Sequence, residues 1–262
     1  MKALEYVLLD PTGNVTVLVR TAVPVPAQPR VARALLEAEP RGEQVGFLSP
    51  GGADADIALR MAGGEFCGNA AMCAAALWCI ERGLSAQTVR VRVSGADRPV
   101  AVQAAAQAED CWSCAEALPR PAPPEMVTLA LDGQTYRLPL LRFPGIGHLI
   151  LPGDTDRAFA ERAARSWCAA LGAEALGLML LDEAAGRMTP LVYVPGADTL
   201  YWERSCASGT AAAGAYLAWK RGASVEAALD QPGGFLRVFA APAGEIRLRG
   251  AVRVLKEGKI LA

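Results

Sequence analysis

Two stretches of the chain, CGNAAMCAAALWCIERG from Cys67 to Gly83 and CASGTAAAGAYLAWKRG from Cys206 to Gly222, align without a gap. Each begins at a cysteine, passes through small residues, runs on as an Ala-rich segment and closes on Arg-Gly, at Arg82-Gly83 and Arg221-Gly222. Alanine is the strongest helix former. Glycine at the end predicts a C-cap, and a basic residue in the last turn complements the helix dipole. The reading is therefore two helices, Gly68 to Arg82 and Ala207 to Lys220. A repeat of this kind predicts two duplicated lobes, each with a cysteine where a helix begins, facing one another across a cleft.

Working outward, alternating apolar runs surround each helix. LEYVLLD, VTVLVR and VRVRVSG lie in the first half, and YRLPLLRF, LGLMLLD, PLVYVP, FLRVFA and IRLRGAVRVL in the second. Each closes at Gly, Pro, Asp or Asn, as strands do. Further helices are predicted over Val31 to Ala38 and Arg157 to Leu171, so the class is α+β rather than a regular βαβ alternation. LPRPAPPEM, from Leu118 to Met126, has four prolines in nine residues and reads as the linker. The expected lobes are 1–118 and 119–249, with a final strand over 250–262 packing back on the first.

At 262 residues the chain can bury a core without metals or crosslinks. Twenty-six Lys and Arg against twenty-seven Asp and Glu, with no basic stripe, argue against a nucleic-acid partner and for a small molecule. No uncharged stretch approaches the length that spans a bilayer, and the apolar run of MKALEYVLLDPTGN is short for a signal peptide. A cytoplasmic protein is expected, with its seven cysteines as thiols.

Inverting a carbon next to a carboxylate needs one group to remove a proton from one face and another to deliver a proton to the opposite face. Cys67 and Cys206, one as thiolate and one as thiol, meet that need. Backbone N–H groups at the two helix starts, at Gly68-Asn69-Ala70 and Ala207-Ser208-Gly209, offer donors for the substrate carboxylate and would lower a thiol pKa. Cys73, Cys79 and Cys168 read as small buried apolar residues. Cys111 and Cys114 form a CxxC that supports a competing reading, a thiol redox or metal-binding protein. With one His in the chain and no second CxxC, a tetrahedral zinc site has no obvious ligand set.

The paired segments GGEFCGNAAMC and WERSCASGTAA resemble the cysteine motifs of the diaminopimelate epimerase superfamily, and the likeness covers most of the chain. It is closer still to the histidine racemases of staphylopine-type opine metallophore synthesis, through DPTGNVTVLV, EQVGF, VSG, GLMLLDE, PLVYVP and QPGG. The resemblance implies two pseudo-symmetric lobes, each a β-barrel-like sheet around a central helix, with the active site between them. It also implies no pyridoxal phosphate and no metal, a free amino acid as substrate, and a homodimer. Cys67 and Cys206 become the two bases, and Gly68, Asn69, Ala207 and Ser208 hold the α-carboxylate. Asn14, Gln44, Glu203 and Arg204 fall at substrate-pocket positions.

Departures from the family patterns bear on the substrate. Where the epimerases carry GNPH, this chain has GIGH, with Ile146 in place of an Asn that reads the distal end of diaminopimelate; a second such Asn falls near Pro190. Losing two polar readers disfavours a second charged amino acid head. Histidine is the first expectation and diaminopimelate, or another amino acid, the alternative. Arg204 follows the epimerases, whereas the histidine racemases carry Asn there. The sole histidine, His148, lies where the histidine racemases also have one; in the apolar run GIGHLIL it reads as a structural residue or as a contact to a substrate side chain.

Overall fold

The computed structural model describes residues 3–118, 121–242 and 244–261. It divides into two compact units, Met1–Ala117 with Arg249–Ala262, and Leu118–Leu248. Pro119 and Arg120, inside the expected linker and at the expected lobe boundary, lie outside the described residues.

The first unit runs β1 (Ala3–Pro11), β2 (Thr16–Val19), α1 (Gln28–Ala38), β3 (Gln44–Pro50), β4 (Ile57–Met61), α2 (Gly68–Ile80), β5 (Ala86–Val93), β6 (Val100–Ala108) and β7 (Cys111–Leu118). The C-terminal strand, Ile246–Leu261, follows β7 in the sheet and pairs antiparallel with β1 from Ala3↔Leu261 to Pro11↔Val252, closing an eight-stranded barrel. β1–β2, β3–β4, β5–β6 and β6–β7 pair antiparallel, whereas β2–β3 and β4–β5 are parallel across α1 and α2.

An eight-stranded barrel has an interior just wide enough for side chains, so a helix inside it must be slender. α2 meets this with Gly, Ala and Cys at most positions: every residue from Gly68 to Leu77 is buried, and the helix packs against β1, β2, β4, β5 and β6. A helix apolar all round belongs in a core. α1, apolar on one face, instead places Val31, Ala32 and Leu35 on the outside of the barrel against Tyr6, Val17, Val45 and Phe47.

The second unit repeats the plan: β8 (Glu125–Leu131), β9 (Gln134–Phe143), β10 (Ile146–Pro152), α3 (Arg157–Leu171), β11 (Leu176–Asp182), β12 (Arg187–Val194), β13 (Thr199–Trp202), α4 (Ala207–Arg221), β14 (Val225–Gln231), β15 (Gly234–Ala240) and the start of β16 (Ile246–Leu261). β10–β11 are parallel across α3, and β12–β14 across α4, the same two crossovers as in the first unit. α4 packs against β9, β10, β11, β14 and β15, so the sheet curls around it. α3 lies outside, its fully buried Trp167 donating from Nε1 to Ala130 O at 3.1 Å.

The repeat holds at both ends of the central helices. Gly83 and Gly222 have φ of 65° and 62°, and the same six-residue closing bond follows each, Leu84 N to Cys79 O and Ala223 N to Ala218 O. These are the left-handed positions that favour glycine. The helix register of α2 ends at Ile80 rather than Arg82, because Glu81 and Arg82 already belong to the closing turn.

Candidate active site

Cys67 is the N-cap of α2. Its φ and ψ are −138° and 108°, and its sulfur accepts from Ala70 N at 3.4 Å. Cys206 is the N-cap of α4 with φ and ψ of −130° and 110°, and its sulfur accepts from Gly209 N at 3.3 Å. A cap side chain that accepts from the third helical amide satisfies a donor the helix cannot satisfy itself. Cysteine is an uncommon cap, and the two units use it identically. Gly68 and Asn69, like Ala207 and Ser208, occupy the first two helical positions, where backbone N–H groups point out of the helix start.

Around Cys67 the fold gathers polar side chains from four elements. Asn14 follows the β1–β2 turn, where Thr12 and Gly13 take positive φ; Thr16 opens β2; Gln44 opens β3; and Asn69 is in the first turn of α2. The Cys67 thiol donates to Gln44 Oε1 at 3.2 Å. Gln44 Nε2 donates to Asn14 Oδ1 at 2.5 Å and to Thr16 Oγ1 at 2.7 Å. Asn69 Nδ2 donates to Asn14 Oδ1 at 3.2 Å, and Asn14 Nδ2 to the Glu43 carboxylate at 3.1 Å.

Around Cys206 the arrangement is different. Its backbone N–H donates to Gln231 Oε1 at 2.9 Å, Gln231 Nε2 donates to Thr210 Oγ1 at 3.0 Å, and Thr210 donates to Cys206 O at 2.7 Å. The cysteine backbone is thus held on both sides. A Cβ at Gly209 would lie 2.2 Å from Met179 Sδ, so only glycine lets this amide approach the sulfur. Ser208 Oγ stands 3.6 Å from Cys206 Sγ and 3.0 Å from His148 Nε2. Burial, and then the charge and hydrogen bonding of Glu203, push the Cys206 thiol well above the usual range, against the pull of Gly209 N and Ser208.

The residues singled out from sequence fall into these two groups: Asn14, Gln44, Gly68 and Asn69 with Cys67, and Glu203, Ala207 and Ser208 with Cys206. Arg204 is exposed, and its backbone carbonyl accepts from Gly233 N. His148, read as structural or substrate-contacting, is fully buried on β10. Thr16, Glu43, Thr210 and Gln231 were missed. Gln231 had a legible signal, a polar residue at the inward parity of a strand whose other inward residues include Val225 and Leu229. The CxxC does not converge: a spacing of three on β7 sends Cys114 into the core, where it donates to Met72 O, and Cys111 to the other face.

The profile of the histidine racemase CntK N-terminal domain family matches residues 3–261. The histidine racemase of Fusobacterium nucleatum subsp. nucleatum is 28% identical over 99% of this chain and 97% of its own length. That of Staphylococcus aureus is 27% identical over 98% and 97%. Among solved structures, a predicted epimerase from Pseudomonas aeruginosa superposes with a TM-score of 0.73 at 20% identity, covering 99% of both chains. A probable proline racemase from Agrobacterium radiobacter gives 0.71 at 15%, covering 98% of this chain and 93% of that one, which establishes the shared fold. By the match of its whole described length, with a cysteine-capped central helix in each half, the chain belongs to the histidine racemase CntK N-terminal domain family.

Proposed function

We propose that this chain interconverts the two enantiomers of histidine without a cofactor, using Cys67 and Cys206 as the paired acid and base. The carrying observation is that both cysteines cap equivalent helices in the same backbone conformation, each sulfur bonded to the third amide. The full-length match to histidine racemases supplies the substrate class.

The α-proton of an amino acid is weakly acidic, so the carbanionic transition state needs donors aimed at the carboxylate. The first-turn amides at Gly68, Asn69, Ala207 and Ser208 are the groups we assign to it. A thiolate takes the α-proton, and the second thiol returns a proton to the opposite face. Racemisation of this kind would provide a D-amino acid for assembly of an opine metallophore. A homodimer acting in the cytoplasm completes the reading.

Incubating the full chain with L-histidine in D2O tests it. Loss of the Hα signal by NMR together with decay of optical rotation is expected for histidine, with meso- and LL-diaminopimelate unchanged. Exchange on diaminopimelate alone, or on no amino acid in a panel of L-enantiomers, would overturn the assignment.

A further inference from the structure

Asn14 and Gln44 are carboxamides, and their surroundings admit one orientation of each. The Glu43 carboxylate only accepts, so the Asn14 atom 3.1 Å from it is the NH2 group. Asn14 Oδ1 is then the atom that faces Gln44 and Asn69, and both must offer it donors. Thr16 adds a second constraint. Its hydroxyl proton goes to Asn14 O at 3.0 Å, so its oxygen accepts from Gln44. With Nε2 held by two acceptors at 2.5 and 2.7 Å, Gln44 must turn Oε1 toward Cys67 Sγ at 3.2 Å. A carbonyl oxygen has lone pairs and no proton, so the sulfur opposite it carries the hydrogen.

We propose that Gln44 is a positioning residue that keeps Cys67 as the proton-donating thiol of the resting enzyme, its polarity set by Glu43 through Asn14. This deepens, and rests on, the racemase reading. In the half-reaction that starts from rest, the Cys67 S–H bond breaks and the carbanion's electron pair forms the new C–H bond. The S–H pair stays on sulfur as thiolate, which meets the Ala70 amide at 3.4 Å. Removal of the original α-proton falls to Cys206. At Cys206 the neighbours oppose one another: the Glu203 carboxylate accepts from the thiol, whereas Gly209 N and the Ser208 hydroxyl favour the thiolate that takes this proton.

The test is the pH dependence of iodoacetamide alkylation at Cys67, read on its own peptide by mass spectrometry in the intact chain. Gln44→Met removes the acceptor and should lower the alkylation midpoint by roughly half to one pH unit. Gln44→Glu places a carboxylate beside the thiol and should raise it. Opposite signs from two substitutions at one site are not expected of a merely structural role. Glu43→Gln, at an exposed position, releases the orientation of Asn14 and should shift the midpoint downward by less. An unchanged midpoint in the folded variants, or shifts of the same sign in both Gln44 variants, overturns the inference; if neither Gln44 variant folds, an unchanged midpoint in Glu43→Gln does so. The alkylation readout needs no turnover, so it stays informative even if no amino acid exchanges its α-proton.

Discussion

His148 Nε2 and Ser208 Oγ lie 3.0 Å apart, which ties β10 to the first turn of α4 and places a neutral imidazole one residue removed from the Cys206 sulfur. Its Nδ1 is buried without a partner among the described residues, and a Cβ at Gly177 would come within 2.2 Å of that nitrogen. Burial lowers the ring from 6.5 to about 3.

The native state therefore binds fewer protons here than the unfolded chain between pH 6.5 and about 3. Stability contributed by the neutral ring is present above pH 6.5 and is lost as pH falls, at up to about 1.4 kcal/mol per pH unit. The urea midpoint of His148→Gln, taken relative to that of the parent chain at the same pH, should rise progressively from pH 7 through 5 to 4. Parallel acid limbs for the two proteins would reject the assignment.

Glu116 sets the opposite limb. On β7 its side chain points inward, both carboxyl oxygens have no hydrogen-bond partner among the described residues, and burial raises it from 4.5 to about 8. Here the native state binds more protons than the unfolded one between those values, so stability is full in acid and falls as pH rises. At pH 7 the loss is about 3 kcal/mol. Glu116→Gln should raise the urea midpoint at pH 7 and 8.5 and leave it nearly unchanged at pH 4.5. With His148, this puts the stability maximum in mildly acidic solution.

Capping and chemistry can be separated at the two cysteines. Serine is a better N-cap than cysteine, so Cys67→Ser and Cys206→Ser should hold or raise thermal stability, whereas Cys67→Ala and Cys206→Ala should cost on the order of 1 kcal/mol. All four should lower racemisation by at least about a hundredfold, since neither a hydroxyl nor a methyl group performs the acid–base step. Near-normal turnover in either serine variant would remove that cysteine from the mechanism.

Gln231 joins the Cys206 amide to Thr210, and its replacement by Leu leaves a buried N–H and a buried hydroxyl without this partner. The expected cost is about 1–3 kcal/mol in the second unit. Turnover should fall further than stability explains, because the Cys206 N-cap conformation loses its support. Hydrogen exchange at the first-turn amides of α4 should speed up; unchanged protection there would show that Gln231 does not hold the cap.

The α+β class, the two cysteine-led helices and their glycine ends were legible because they are local. A cap bonds three residues ahead, a left-handed glycine ends the helix it follows, and an Ala-rich segment signals a helix that can be buried all round. Asn14 and Gln44 came from a family resemblance, and Gln231 was missed although the strand parity of its neighbours marks it.

The amino-acid sequence alone determined where the two helices begin, that a cysteine stands at each start, and that the halves repeat, since each feature depends on residues within a turn or two of one another. Tertiary structure decided which way Gln44 faces, what holds the Cys206 backbone, and that His148 and Glu116 are buried uncharged. Those properties come from contacts between residues separated by 21 to 60 positions. Strand register brings such partners together, and a slip of one residue would turn every one of those side chains to the other face.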